Sequence, residues 1–134
     1  MPKKTYKVAI IEDEKDLAEI YHMKMKMDKM DAIIINDSLQ AMDILKKNKP
    51  DLVLLDIMMP DLDGFELYQQ IKADKDLRSM KVYLWSNLTQ KKDKERAEKL
   101  KVDGFLVKSD FTPTTLAMKA RDILDGKDRI KNRK

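Results

Sequence analysis

Short apolar runs alternate with longer amphipathic stretches along the chain. Val8-Ala9-Ile10-Ile11, Ala32 to Ile35, Leu52-Val53-Leu54-Leu55, Val82-Tyr83-Leu84-Trp85 and Gly104-Phe105-Leu106-Val107 are short and almost wholly apolar. Such runs predict strands buried on both faces. Between them the spacing predicts helices. Asp16 to Met30 carries Leu17, Ile20, Tyr21, Met27 and Met30 near helical spacing. Asp37-Ser38 offers an N-cap for a helix through Lys47, with Leu39, Met42 and Leu45 facing inward, and Asn48 and Pro50 end it. Phe65 to Ala73 is helical. Thr89 to Lys101 is a highly charged helix with Ala97 and Leu100 among its few apolar residues. Thr112-Pro113 starts a last helix, which runs to about Asp125 and stops at Gly126.

This order, a strand then a helix five times over, predicts an α/β fold: a parallel sheet with helices on either side and right-handed crossovers. The 134 residues suit one domain. Hydrophobic residues make up 43% and charged residues 39%, a balance that fits a packed core under a charged exterior. The chain has no cysteine, which excludes disulfides, thiolate metal sites and cysteine nucleophiles, and its one histidine, His22, is too few for a histidine-rich metal site. No apolar run approaches the roughly 18 residues of a membrane span, and no signal-peptide core follows the basic start, so the chain reads as cytoplasmic with no membrane association. The net charge of +4 is weak evidence for nucleic-acid binding, and no direct DNA contact is expected. A basic tail, 127–134, reads as a solvated terminus beyond a domain of residues 1–126. The methionines of the first helix, Met23, Met25, Met27 and Met30, read as adaptable packing or partner surface rather than copper ligands.

In an open parallel sheet, ligands bind beyond the carboxyl ends of the strands. The first strand ends in Glu12-Asp13-Glu14, the third in Asp56, the fourth in Ser86-Asn87 and the fifth in Lys108-Ser109; Asn36-Asp37, after the second, is not placed in the site. Crowded carboxylates repel one another, and a hard, oxygen-seeking cation such as Mg²⁺ relieves that repulsion. A metal and a lysine together can neutralise a phosphoryl group in transfer, a hydroxyl can bond one of its oxygens, and a carboxylate can accept it. Taken singly, each residue has an ordinary structural explanation: Asp61 and Asp63 as turn formers or caps, Glu14 as a helix-start charge, Ser86 as a loop serine, Lys108 as a surface ion-pair partner. Their joint placement at four strand ends favours the chemistry.

Ile10-Ile11-Glu12-Asp13-Glu14, the string Leu54 to Gly64 (Leu-Leu-Asp-Ile-Met-Met-Pro-Asp-Leu-Asp-Gly), Ser86 and Val107-Lys108 resemble the receiver domain of bacterial two-component response regulators. The resemblance covers about residues 6 to 125. It implies a flavodoxin-like sheet of five parallel strands in the order 2-1-3-4-5, flanked by five helices. It also implies that Asp56 accepts the phosphoryl group, that Asp13 ligates Mg²⁺ (or Mn²⁺) directly and Glu12 through water, and that the backbone carbonyl of Met58 completes the protein's share of the shell. Ser86 takes the place of the switch hydroxyl, Phe105 of the switch aromatic and Lys108 of the phosphoryl-binding lysine. A histidine kinase or phosphotransfer protein would donate, docking at the first helix. A downstream output protein, or a homodimer, would use the fourth helix, fifth strand and fifth helix. Such a chain catalyses only its own phosphorylation and dephosphorylation. With nine residues after Asp125, output is expected to come from a partner, from a relay, or from a longer protein of which this is a piece.

Three positions depart from the family. Ser109 follows Lys108 where proline usually fixes the loop through a cis peptide; that isomer costs about 3–4 kcal/mol before serine, so the loop is strained or built differently. Asn87 stands where a small residue is usual and is expected to narrow access to the phosphoryl site or add a hydrogen bond to it. Phe105 lacks the hydroxyl of the commoner tyrosine. Met58 and Leu88, two positions after Asp56 and Ser86, are apolar at places that influence attack by water, which suggests slow self-dephosphorylation. The competing reading is a receiver-shaped interaction scaffold that is never phosphorylated. A haloacid-dehalogenase-type phosphatase needs an aspartate where Met58 stands. A flavodoxin-like carrier needs a phosphate loop where Glu12-Asp13-Glu14 would repel a phosphate.

Overall fold

The computed structural model describes residues 5–58, 63–87 and 91–126. Five strands, β1 (Lys7–Ile11), β2 (Asp31–Ile35), β3 (Leu52–Leu55), β4 (Lys81–Ser86) and β5 (Gly104–Val107), form one parallel sheet in the order β2-β1-β3-β4-β5. Five α-helices alternate with them: α1 (Lys15–Met27), α2 (Ala41–Asn48), α3 (Gly64–Ala73), α4 (Lys91–Leu100) and α5 (Pro113–Leu124).

Strand residues alternate between two separate cores, which explains why the central strands are apolar without a polar period. Ala9, Ile11, Val53, Leu55, Val82 and Leu84 face α2, α3 and α4, where Leu45, Phe65, Ile71 and Ala97 meet them. Val8, Ile10, Leu52, Leu54, Tyr83 and Trp85 face α1 and α5, against Tyr21, Met25, Leu116, Ala120 and Ile123. Gly104 allows this second core to close beneath β5. A Cβ there would lie 2.3 Å from the ring of Tyr83, its register partner on β4.

Three sequence expectations shift. Helix α1 ends at Met27, because Lys29 takes a left-handed conformation (φ 63) and Met30 N–H returns to Met25 C=O at 2.9 Å. Met30 is therefore part of a Schellman-type cap, buried against Met25, rather than part of the helix. Ala18, Tyr21 and Met25 form the inward face, whereas Ile20 and Met27, expected there, are exposed. Before α2, residues Ser38–Gln40 form a 3-10 turn whose tighter winding buries Ser38 and leaves Leu39, expected inward, exposed. The caps at Asp37 and Thr112 are present: Asp37 Oδ1 accepts from Leu39 N–H, and Thr112 Oγ1 from Thr115 N–H. The start of the charged helix at Thr89 and the basic tail lie outside the described residues.

Candidate functional site

The parallel ladder sets the acidic edge. Glu12 N–H donates to Ile35 C=O at 3.0 Å and Asp56 N–H to Ile11 C=O at 3.1 Å, so strand pairing continues one residue past β1 and β3. This holds Glu12 and Asp56 side by side, both nearly fully buried, with Asp13 exposed next to them. Carboxylate oxygens of Glu12, Asp13 and Asp56 all lie within 4.8 Å of one another. Two backbone devices fix these groups. Asp56 Oδ1 accepts from Met58 N–H at 2.9 Å, and Glu12 Oε2 from Glu14 N–H at 3.3 Å. Asn36, which the sequence reading left out of the site, supports it by donating from Nδ2 to the Glu12 carbonyl at 3.1 Å.

Gly64 completes the support from the other side. A Cβ at this position would fall 2.3 Å from Ile57 Cα and 2.9 Å from the Asp56 carbonyl oxygen, so only glycine lets α3 begin against the end of β3. Asp63 caps α3, its Oδ1 accepting from Phe65 N–H, and its Oδ2 pairs with Arg96 of α4 at 3.1 Å. The cap expected of Asp63 is thus present; Asp61 lies outside the described residues.

Lys108 closes the site from β5. Its Nζ lies 2.6 Å from Glu12 Oε1 and 3.1 Å from Asp56 Oδ2. Burial raises the carboxyl pKa values of both Glu12 and Asp56, with Lys108 working against the rise. Burial also disfavours the charged ammonium of Lys108, but its contacts with Glu12 and Asp56 outweigh that and hold its pKa above the usual lysine value. The arrangement is a set of partly desolvated oxygens with more negative charge than one lysine balances. Three carboxylates converging within ligand distance fit a hard divalent cation, which keeps several waters of its own.

The other sequence-predicted residues take these places. Ser86 is the last residue of β4 and is buried, with Val107 as its register partner on β5. Phe105, on β5, is partly buried against the core on the α4 side. The side chain of Met58 is exposed. Asn87 is exposed and its Oδ1 accepts a hydrogen bond from Ser109 N–H at 2.7 Å. Leu88 lies outside the described residues. The Lys108–Ser109 peptide is trans, and Lys108–Asp110 forms a 3-10 turn, so this loop is built differently from one closed by a cis proline. Sequence reasoning missed an aromatic floor beneath Lys108. The rings of Tyr21 and Phe111 pack on Trp85 at centroid distances of 5.5 and 6.0 Å, and Lys108 Nζ stands 5.9 Å from the Trp85 ring.

An acidic edge with a lysine, on a parallel sheet of order 2-1-3-4-5, defines a class, and comparison with known proteins agrees with it. The chain belongs to the response regulator receiver domain family, which it matches over residues 8–121, and so to the two-component signalling proteins. It is 30% identical over 118 residues to the "Probable transcriptional regulator ycf27" of Porphyridium aerugineum, covering 88% of this chain and 48% of that protein. The chain thus spans about half the length of the curated relatives it matches. Among solved structures, it superposes with a TM-score of 0.81 on the signal receiver domain of a signal transduction histidine kinase from Syntrophus aciditrophicus. The two are 26% identical, and the match covers 93% of this chain and 94% of that one. With the chemotaxis protein CheY4 of Vibrio cholerae the TM-score is 0.80 at 19% identity, covering 90% and 99% of the two chains. No described helix is long and apolar enough to cross a membrane.

Proposed function

We propose that this chain is a cytoplasmic phosphorylation switch in which Asp56 accepts a phosphoryl group from a phosphohistidine on a histidine kinase or phosphotransfer protein. The observation that carries this reading is the ion pair between Lys108 Nζ and Asp56 Oδ2 at 3.1 Å, at an edge where Glu12, Asp13 and Asp56 converge. A carboxylate oxygen of Asp56 attacks phosphorus, the P–N bond to the donor imidazole breaks, and the imidazole leaves with that electron pair. The product is an acyl phosphate on Asp56.

Glu12, Asp13, Asp56 and the carbonyl of Met58 would hold Mg²⁺ or Mn²⁺, which supplies charge neutralisation for the phosphoryl oxygens. Lys108 neutralises a further oxygen and orients the group. Ser86, at the end of β4, donates its hydroxyl to the arriving phosphoryl, and Phe105 on the neighbouring strand adjusts with it. The surface of α4, β5 and α5 then presents the change to an output partner or a second copy of the chain. The exposed Ile20, Met23 and Met27 of α1 offer an apolar face for the donor. The chain's only catalysis is of its own phosphorylation and dephosphorylation.

Incubation with a small phosphoryl donor and Mg²⁺, read by intact mass, tests this. The expected result is one phosphoryl mass on the wild type and none on Asp56→Asn. A wild type that never gains that mass favours the scaffold reading instead.

A further inference from the structure

Two of the sequence's departures from its family meet in space. Asn87 follows Ser86 and Ser109 follows Lys108, and the parallel pairing of Ser86 with Val107 brings the two strand exits together. Ser109 N–H, a donor that proline would lack, bonds Asn87 Oδ1 at 2.7 Å. On the inner side of the same turn the Phe111 ring packs on Trp85, and Phe111 N–H returns to Lys108 C=O at 3.1 Å. The end of β4 and the residue after it, Trp85-Ser86-Asn87, therefore grip the Lys108–Phe111 turn by a hydrogen bond outside and an aromatic contact inside. Between these two holds Lys108 reaches back to Glu12 and Asp56.

We propose that Asn87 is a positioning residue for Lys108: its side-chain oxygen clasps the Ser109 amide and so sets where the lysine stands relative to the phosphoryl acceptor. This rests on the reading of Asp56 as acceptor. It assigns Asn87 a different job from narrowing the entrance to the site, because its oxygen is engaged with the neighbouring turn. It also links the residue after the switch hydroxyl to the residue after the lysine, so that a displacement of Ser86 is passed to the lysine turn.

Four variants test it: Asn87→Ala, Asn87→Asp, Ser109→Pro and the double variant Asn87→Ala/Ser109→Pro. Exchange of the Ser109 amide, followed by NMR, is expected to speed up about five- to tenfold in Asn87→Ala, the loss of one ordinary hydrogen bond. It should stay near wild type in Asn87→Asp, which keeps the acceptor oxygen. The rate of phosphorylation by a small donor with Mg²⁺ should fall about three- to tenfold in Asn87→Ala, with the urea midpoint little changed. Asn87→Ala should have no further effect in the Ser109→Pro background, where the donor is gone. Unchanged Ser109 exchange in Asn87→Ala overturns the clasp, and so does a full Asn87→Ala effect on rate in the Ser109→Pro background, as crowding of the entrance would give. Faster phosphorylation in Asn87→Ala does the same. If Ser109→Pro does not fold, the exchange and rate of Asn87→Ala and Asn87→Asp still decide. A wild type that gains no phosphoryl mass overturns the acceptor reading and the positioning role with it, whereas the exchange result separately decides whether the clasp exists.

Discussion

Lys108 makes its shorter contact with Glu12 (2.6 Å), not with the proposed acceptor Asp56 (3.1 Å). The lysine thus occupies charge that a divalent cation would otherwise neutralise, and amine and metal would compete for the same carboxylates. Lys108→Met is expected to bind Mg²⁺ about tenfold more tightly, the equivalent of about 1.4 kcal/mol of relieved repulsion between cations. The same variant should be phosphorylated about 10²-fold more slowly, because a charge-stabilising donor is lost. Mg²⁺ titration followed by the fluorescence of Trp85, which adjoins Ser86, checks the first outcome, and intact mass the second. Unchanged or weaker Mg²⁺ affinity would place the cation away from this lysine.

The acidic edge is also a cost to the fold. Burial raises the pKa of Asp56 in the native state, so below the unfolded carboxyl pKa its protonated form costs nothing, and as pH rises through the folded value stability is lost. Asp56→Asn removes one buried charge while leaving Lys108 paired with Glu12. Without divalent metal at pH 7 it should be more stable than wild type by about 0.5–2 kcal/mol, in the range of substitutions that relieve a strained functional site. The gain should vanish at pH values below the ordinary carboxyl range. Urea unfolding at both pH values measures it, and a variant less stable than wild type at pH 7 would contradict it.

At the alkaline end Tyr68 is the group to watch. Burial on α3 pushes its phenol up to about 12, with the nearby charge of Asp103 adding to the effect. An acid whose folded pKa exceeds its unfolded value stabilises fully below the unfolded value, about 10, and loses that contribution as pH rises through the folded one. The stability difference between wild type and Tyr68→Phe should therefore be constant up to about pH 10 and then shift against the wild type towards pH 12. Denaturation of the two proteins across that range gives the result directly. A difference that stays flat would mean the phenol ionises without a folding penalty.

The elements and most of the acidic edge were legible in sequence, for physical reasons. Both faces of the central strands are buried, so Leu52-Val53-Leu54-Leu55 could be read without register. Asp56, Glu12 and Lys108 could be placed because strand ends in a parallel sheet face the same way. What escaped was side-chain direction within an element. Leu39 and Ile20 looked inward by spacing, but a 3-10 turn and a one-position rotation of the helical face turned them to solvent. Lys29 ends α1 in a left-handed conformation that glycine usually signals, so the sequence carried no mark of that end. Asn87 and Ser109 were each visible as oddities, but only the β4–β5 register shows that they are partners.

The lifetime of the proposed acyl phosphate would depend on how water approaches Asp56. Met58 donates its backbone N–H to Asp56 Oδ1 while its side chain stands in solvent, 58% exposed. A thioether there offers an attacking water no effective acceptor, whereas an amide carbonyl in the same place would hold the water and orient it toward phosphorus. Met58→Asn keeps the backbone donor, so the acceptor geometry should survive. Its acyl phosphate is expected to decay about tenfold faster than that of the wild type, because the amide would position the attacking water. Phosphorylated protein freed of donor and followed by intact mass gives both lifetimes. A wild type that decays as fast as the variant would show that Met58 does not set water access, leaving that control to other residues lining the entrance.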